Sequence, residues 1–364
     1  MISTMTSHTL PCVLMRAGTS RGPFFLKDWL PQDIALRDRV LQSAIGAADA
    51  SHVNGLGGGT TLTSKVAIVS RATRPDCDID YLFAQVGPTH VDTRPNCGNM
   101  LAGVAPFAIE QGLVPATEGS TTVRVHNVNT GARIDVTVCT PHGQVVYDGD
   151  ATIDGVSEPA APVYLNFLDA WGASTGQLFP TGARRNLIDG VEVSCIDAAM
   201  PMVMMPAAAL GVTGHESAAE LDAMPELMAR IEQIRRQAGA LMGLGDVSQS
   251  VVPKPVLLSA GAHPQQIVSR YFTPWRCHAA HAVTGAVGVA AALALPGTVA
   301  HRQDLAPGTH TIDIAHPSGT IRIALTVAHS DGETVVQTAS VVRTVRKILQ
   351  GNLHLPAHLF QLEH

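Results

Sequence analysis

The 364 residues exceed what one hydrophobic core usually organises, so two domains are expected, each able to bury its own core. Hydrophobic residues make up 46% and charged residues 15%, with 33 glycines and 23 prolines, which excludes a disordered chain and fits a compact, loop-rich protein. A formal net charge of −6 without any Lys/Arg block argues against nucleic acid or an anionic membrane as partner and leaves room for an acidic small molecule where basic groups converge.

The chain opens without a charged, apolar secretory leader, and its cysteines at 12, 77, 97, 139, 195 and 277 show no Cys-x-x-Cys spacing. Reduced thiols in a cytoplasm are therefore expected. "MRAGTSRG" (15–22) gathers Arg16, Thr19, Ser20 and Arg21 around two glycines, a mix suited to holding carboxylates. "NGLGGGTTLTS" (54–64) is followed by a β-branched run rather than a helix and lacks a Gly-Lys-Ser/Thr ending, so it fails as a dinucleotide or phosphate loop. Its amides, with Thr60, Thr63 and Ser64, can still bind a carboxylate. Lys65 stands just before "VAIV", a strand expected to be buried; desolvation there would lower its pKa and make it a usable base, whereas a lysine at an exposed strand end would do nothing.

In "NCGNMLAGVAPFAIEQG" (96–112) an extended stretch gives way to a helix of small apolar residues, expected over 98–112 with a kink or early break at Pro106. If Asn96 caps it, Cys97 lies beside the free amides of Gly98, Asn99 and Met100, a position that favours a thiolate. The plain alternative is a buried, inert thiol. Further on, Val123 and Val125, a turn at Asn129-Thr130-Gly131, and Ile134, Val136 and Val138 predict a β-hairpin, repeated around Pro317-Ser318-Gly319. Leu227, Ile231, Ile234, Ala238 and Leu241 have the spacing of an amphipathic surface helix. Lys254 sits between two prolines, and Thr284 with Gly285 opens a second apolar helix, 282–295, whose start offers another anion-binding end. That helix is too short to span a bilayer. Cys277, His278 and His281 precede it, but only one spacing resembles a ligand pair and nothing completes a set of four, so no metal is expected.

Three segments recur in the same order. Lys254 follows Lys65 by 189 positions, Ala282 follows Cys97 by 185 and Cys195 follows Cys12 by 183, each within a similar local pattern. Two pseudo-equivalent halves, 1–185 and 186–364, account for this, each a curved sheet wrapped around one central apolar helix.

Taken together, "MRAGTSRGPFFL", "GLGGGTTLTSKVAIV", "DIDYLFAQV", "NCGNMLAGVAPFAIEQGLV" and "GDVSQSVVPKPVLLS" resemble the family of 4-oxalomesaconate tautomerases and 2-methylaconitate isomerases, over nearly the whole chain. The resemblance implies an α/β (α+β) diaminopimelate-epimerase-like fold of two pseudo-symmetric domains, with a cofactor-free site in the cleft where both central helices point their N-termini. Racemases of this fold use a cysteine from each half; here Ala282 takes the second place, so a symmetrical thiol pair is absent. In the resembling isomerases a lysine and a cysteine move a proton across an allylic system, and the matching residues are Lys65 and Cys97. The first loop departs from the family's Gly-Gly-Thr-Ser-Lys-Gly at Ala17 and Arg21.

The expectation is a cofactor-independent isomerase acting on a small unsaturated carboxylate. The resemblance favours 4-oxalomesaconate, an intermediate of aromatic-acid (gallate or protocatechuate) degradation, over 2-methylaconitate of propionate metabolism. Lys65 and Cys97 exchange the proton, in an order the sequence leaves open. Gly98, Asn99, Thr284 and Gly285 offer amides to the developing charge, and Arg16, Thr19, Ser20, Thr63, Ser64, Asn96 and Lys254 hold the anionic substrate. A racemase would need a second base near Ala282, where only His281 is at hand. A non-catalytic carboxylate-binding protein on the same fold would use Lys65 and Cys97 for packing alone. A homodimer is compatible with all of this.

Overall fold

The computed structural model describes residues 8–360, apart from 169, 274 and 331. The chain runs β1 (His8–Ala17), β2 (Ser20–Leu26), α1 (Ile34–Ile45), β3 (Lys65–Arg71), β4 (Ile79–Val86), β5 (Val91–Asp92), α2 (Gly98–Leu101), α3 (Val104–Glu110), β6 (Gly119–Asn127), β7 (Arg133–Thr140) and β8 (Pro162–Phe167). It continues through β9 (Asn186–Ile188), β10 (Val191–Asp197), β11 (Pro201–Pro206), α4 (Ala218–Asp222), α5 (Pro225–Leu241), β12 (Lys254–Ala260), β13 (Gln266–Tyr271), α6 (Val283–Ala294), β14 (Gly308–His316), β15 (Gly319–Ser330) and β16 (Glu333–Leu355).

The sequence repeat is a repeat of strand pairing. From β1 to β8 successive neighbours are antiparallel (β1–β2), parallel (β2–β3), antiparallel (β3–β4), parallel (β4–β6), antiparallel (β6–β7) and antiparallel (β7–β8). The same six relations recur in order through β10, β11, β12, β13, β14, β15 and β16. Lys65 and Lys254 are both the first residue of their strands, β3 and β12, and those strands share one burial pattern along their length.

The two arrays join where β8 pairs antiparallel with β16. Beyond that pairing β16 continues back and pairs antiparallel with β1, closing a ring of β1, β2, β3, β4, β6, β7, β8 and β16. The 185/186 boundary falls between β8 and β9, and the end of β16 returns across it. Alternation along the strands drives the closure: β7 and β15 bury every second residue, so one face of each must be covered.

That cover is supplied from inside by α2, α3 and α6. All twelve residues of α6 are buried, and a fully buried valine or leucine is worth about 1.5–3 kcal/mol. The expected helix over 98–112 is two pieces separated at Ala102 and Gly103, and Pro106 lies in the first turn of α3. Its ring would collide with the carbonyl four residues back in a continuous helix, so the chain restarts where a missing N–H costs nothing. The helix expected at 227–241 is α5, with Leu227, Ile231, Ile234 and Ala238 buried against the outer face of the second sheet; Leu241 is exposed, and Arg235 is buried in its stead. Its counterpart outside the first sheet, α1, has no predicted equivalent; Asp33 caps it, accepting from the Leu36 amide at 2.8 Å, and Gly46 in the left-handed region ends it. Both hairpins form, β6–β7 and β14–β15, the second with Pro317 and Ser318 between paired His316 and Gly319. All six cysteines are free thiols, and no helix among the described residues is long and apolar enough to cross a membrane.

Candidate active site

The two inner helices meet at their N-termini. Cys97 itself is the N-cap of α2, with φ −136° and ψ 100°, and Ala282 is the N-cap of α6. A Cβ on Gly98 would lie 2.7 Å from Cβ of Val283, so only glycine lets the helix ends approach this closely. Asn96 does not cap α2. Its Oδ1 is buried without a hydrogen-bond partner, because the extended turn at Cys97 carries it past the amides it was expected to reach. Asn99 is turned the other way, to the loop between β1 and β2: its Nδ2 donates to Thr19 Oγ1 at 3.1 Å and its Oδ1 accepts from the Thr19 amide at 3.4 Å.

Lys65 enters the gap from the start of β3. Its Nζ donates to Ser20 Oγ at 3.1 Å and to Cys97 Sγ at 3.4 Å, and both partners of the nitrogen–sulfur pair are less than a tenth exposed. Ser20 is the first residue of β2, the strand parallel to β3, and lies two residues before Gly22, which packs against the Lys65 carbonyl. The Tyr81 hydroxyl, buried on β4, donates to the Cys97 carbonyl at 3.1 Å and fixes the turn that carries the sulfur. Thirty-two residues apart in sequence, Lys65 and Cys97 form one hydrogen-bonded amine–thiol pair, able to act as a base–acid couple. With the proton on nitrogen, sulfur is the base; with the proton on sulfur, nitrogen is.

Lys65 and Cys97 line a cleft of about 640 Å³ counted with the open solvent at its mouth, together with Asn96, Gly98, Asn99, Lys254, Tyr271, His278 and Ala282. Lys254 faces Lys65 from the second half, and its amine makes no hydrogen bond or ion pair among the described residues. Burial pushes its pKa down to about 7, with Lys65 and Arg235 acting in the same direction and Asp92 and Cys97 against it. The loop before it is held in place by buried Arg235, which grips Glu232 and donates to the carbonyls of Val247, Ser250 and Val252. Arg94, paired with Asp92, adds a bond to the Gln249 carbonyl at 2.7 Å.

Several expected ligands lie elsewhere. Arg16 donates to the carbonyls of Gly18 and Thr344 and to Thr344 Oγ1, so its guanidinium ties β1 to β16 rather than facing the cleft. Thr63 bonds within its own turn to Thr60, and Ser64 Oγ donates to the Thr60 carbonyl. Thr284 Oγ1 is fully buried without a partner. Gly285 is pressed against the Tyr271 ring, while the role expected of Thr284 and Gly285 rests on their backbone amides in the first turn of α6. Thr19 and Ser20 act behind Asn99 and Lys65. Tyr271, Gln85, Thr61 and Thr273 line the cleft without having been predicted; Gln85 and Tyr271 reach it from strands β4 and β13, Thr61 and Thr273 from the loops before β3 and after β13. Cys277, His278 and His281 do not converge: Cys277 faces the His278 carbonyl, and His281 bonds Ser269 Oγ and the Ala282 carbonyl. Among the described residues, no three metal-binding side chains come together.

Residues 7–356 match the family described as PrpF protein. The chain belongs to the PrpF family. It is 52% identical to the putative isomerase YbhH of Escherichia coli over 95% of this chain and 99% of that one. It is 47% identical to the 4-oxalomesaconate tautomerase of Pseudomonas putida, over 95% and 96%. The crystal structure of a methylitaconate-delta-isomerase superposes with a TM-score of 0.78 at 32% identity, covering 98% of each chain. A hydroxyproline epimerase of Agrobacterium vitis, 12% identical with a TM-score of 0.57 over 95% and 93% of the two chains, shares the fold alone. The PrpF chain is thus an isomerase on the diaminopimelate-epimerase-like fold.

Proposed function

We propose that this isomerase shifts a proton within a small unsaturated tricarboxylate, with 4-oxalomesaconate as substrate and keto–enol tautomerisation as the reaction. The observation that carries the reading is the Lys65 Nζ to Cys97 Sγ contact of 3.4 Å in a cleft that also holds Lys254. One member of the couple removes a proton from the carbon next to the carbonyl; electrons move toward the oxygen, and the other member delivers a proton to the far end of the conjugated system. Each turnover leaves the couple with its proton on the opposite atom, and exchange with water restores it. Lys254 balances a substrate carboxylate, and a bound anion raises the charged fraction of that amine. Ala282 leaves the second wall without a thiol, which favours an isomerase over a two-thiol racemase. The stretches "DYLFAQV" and "NCGNMLAGVAPFAIEQGLV", and the tautomerase relative described above, favour 4-oxalomesaconate over 2-methylaconitate.

Proton NMR in heavy water tests the reading. The wild-type protein is expected to convert 4-oxalomesaconate and wash deuterium into the migrating position. Turnover of 2-methylaconitate alone would correct the substrate, and exchange into neither would end the proposal.

A further inference from the structure

His278 lies on the cleft wall with Lys65, Cys97 and Lys254, seven residues beyond the end of β13. Its ring is fixed on both sides. The main-chain N–H of His278 donates to the Tyr271 carbonyl at 2.7 Å, and the ring meets the Tyr271 ring edge-on with centroids 6.2 Å apart. Nδ1 accepts a hydrogen bond from the Ala280 amide at 3.0 Å. An accepting Nδ1 carries no proton, so the neutral imidazole holds its proton on Nε2. Nε2 has no hydrogen-bond partner among the described residues, and it is not among the side-chain atoms sealed in the interior without one. Of the two ring nitrogens, Nε2 is therefore the one left free for the cleft that His278 lines. Burial, and after it the charge of Lys65, hold the His278 pKa well below the ordinary imidazole value, so the ring stays neutral at physiological pH.

The opposite wall thus lacks a thiol at Ala282 and offers a preset neutral donor a few residues earlier. We propose that His278 is a catalytic residue whose Nε2–H donates a hydrogen bond to the substrate oxygen on which negative charge gathers as the proton leaves carbon. This assignment rests on the isomerase reading above. A neutral, fixed donor gains most as charge builds on its acceptor, and such donors are worth about 10²–10³ in kcat in other enzymes.

The first measurement is ¹⁵N NMR of histidine-labelled wild-type protein at pH 7, alone and with saturating tricarballylate, a tricarboxylate that cannot isomerise. The expected result is the Nε2–H tautomer for His278 and a shift of that resonance when tricarballylate binds. The Nδ1–H tautomer, an imidazolium, or an unmoved resonance overturns the proposal. The second is kinetic. His278→Ala is expected to lower kcat 10²–10³-fold with KM changed less than threefold, and His278→Gln, which keeps a donor, to recover part of the loss. Should His278→Ala fail to fold, His278→Gln carries the kinetic arm through the same kcat-against-KM split. A His278→Ala protein within threefold of wild type, while Lys65→Met has lost exchange, removes the histidine role and leaves the proton couple intact. Wild-type protein inactive on both candidate substrates removes the proposed function instead, and the NMR arm still decides the tautomer and the contact.

Discussion

The start of α2 and the start of α6 occupy equivalent places in a repeated scaffold yet hold different chemistry. Each is approached by the lysine that opens the facing strand, Lys65 on β3 and Lys254 on β12. At α2 the lysine finds Cys97 and Ser20 and donates to both, the pairing on which the proposed proton exchange rests. At α6 the N-cap is Ala282, and Lys254 stays unpaired in a buried site that depresses its pKa. A symmetrical backbone therefore gives the cleft two unlike walls, and in the proposed reaction one moves a proton and the other holds charge. A racemase needs like chemistry on both faces of one carbon; an isomerase that lifts a proton and returns it elsewhere has no such need.

The sharpest way to break the comparison is to remove each lysine in turn. Lys65→Met is expected to lower turnover at least 10³-fold, and Cys97→Ser 10²–10⁴-fold, the range for a positioned proton-transfer group. Circular dichroism should match wild type, since methionine fills the volume of the lysine stem. Equal losses in kcat from Lys65→Met and Lys254→Met would mean that the walls act alike.

Lys254→Met is expected instead to raise KM 10–100-fold with a smaller change in kcat. Its pH behaviour follows from a pKa of about 7 in the fold against 10.5 for an ordinary lysine. Below about pH 7 the free enzyme presents an ammonium to the substrate carboxylate. Above it, binding must first take up a proton, and KM rises by up to tenfold per pH unit in wild type but not in Lys254→Met. Stability of the unliganded protein runs the other way. Between about pH 7 and 10.5 the unfolded chain binds the proton that the folded Lys254 has lost, so the contribution of this group to stability increases with pH across that window. Buried Cys12, Cys195 and Cys277, each pushed up to about 12, oppose this above about pH 9, so chemical denaturation at pH 7 and 8.5 should show the rise in wild type and a flatter profile in Lys254→Met.

A smaller effect is expected where the two helix ends touch. Gly98→Ala places a methyl group 2.7 Å from Cβ of Val283, on backbone that cannot easily retreat because α6 is buried along its whole length. Overpacking of this kind costs about 1–3 kcal/mol, readable as a shift in denaturation midpoint. A loss of activity larger than the loss of stability would show that the spacing between the helix ends also sets the reacting geometry.

Much of this arrangement was legible before any coordinates. The offsets of 183–189 residues pointed to β1 and β10, β3 and β12, and α2 and α6, because repeated packing demands leave repeated apolar patterns. Lys65 and Cys97 stood out because an amine at a buried strand start and a thiol at a helix start are costly places for ordinary residues. What stayed hidden depended on long-range partners. Arg16 has the composition of a carboxylate fork, but its acceptors belong to Thr344, 328 residues away. Asn96 is a good cap by type, and the turn assigned that place to Cys97. His278 lay in a cluster that invited a metal reading, and only the Ala280 amide reveals its tautomer. The return of β16 to β1 leaves no local signal, since a strand's pattern does not name its neighbour.

Thr284 supplies the smallest effect and the finest test of the two walls. The sequence offers the Thr284 amide, at a helix start, to the developing charge; the fold buries the side-chain hydroxyl completely with Oγ1 unpartnered. A buried hydroxyl without a hydrogen bond costs about 1–3 kcal/mol of desolvation, which valine of the same shape does not incur. Thr284→Val is therefore expected to raise stability by about 1 kcal/mol, seen as a higher denaturation midpoint, and to leave kcat and KM within twofold. A drop in activity would mean that the hydroxyl turns to the substrate once the cleft is filled. Unchanged activity with added stability would leave the second wall to Lys254 and His278, and the asymmetry between the helix ends would then lie in the side chains around them rather than in the helix starts themselves.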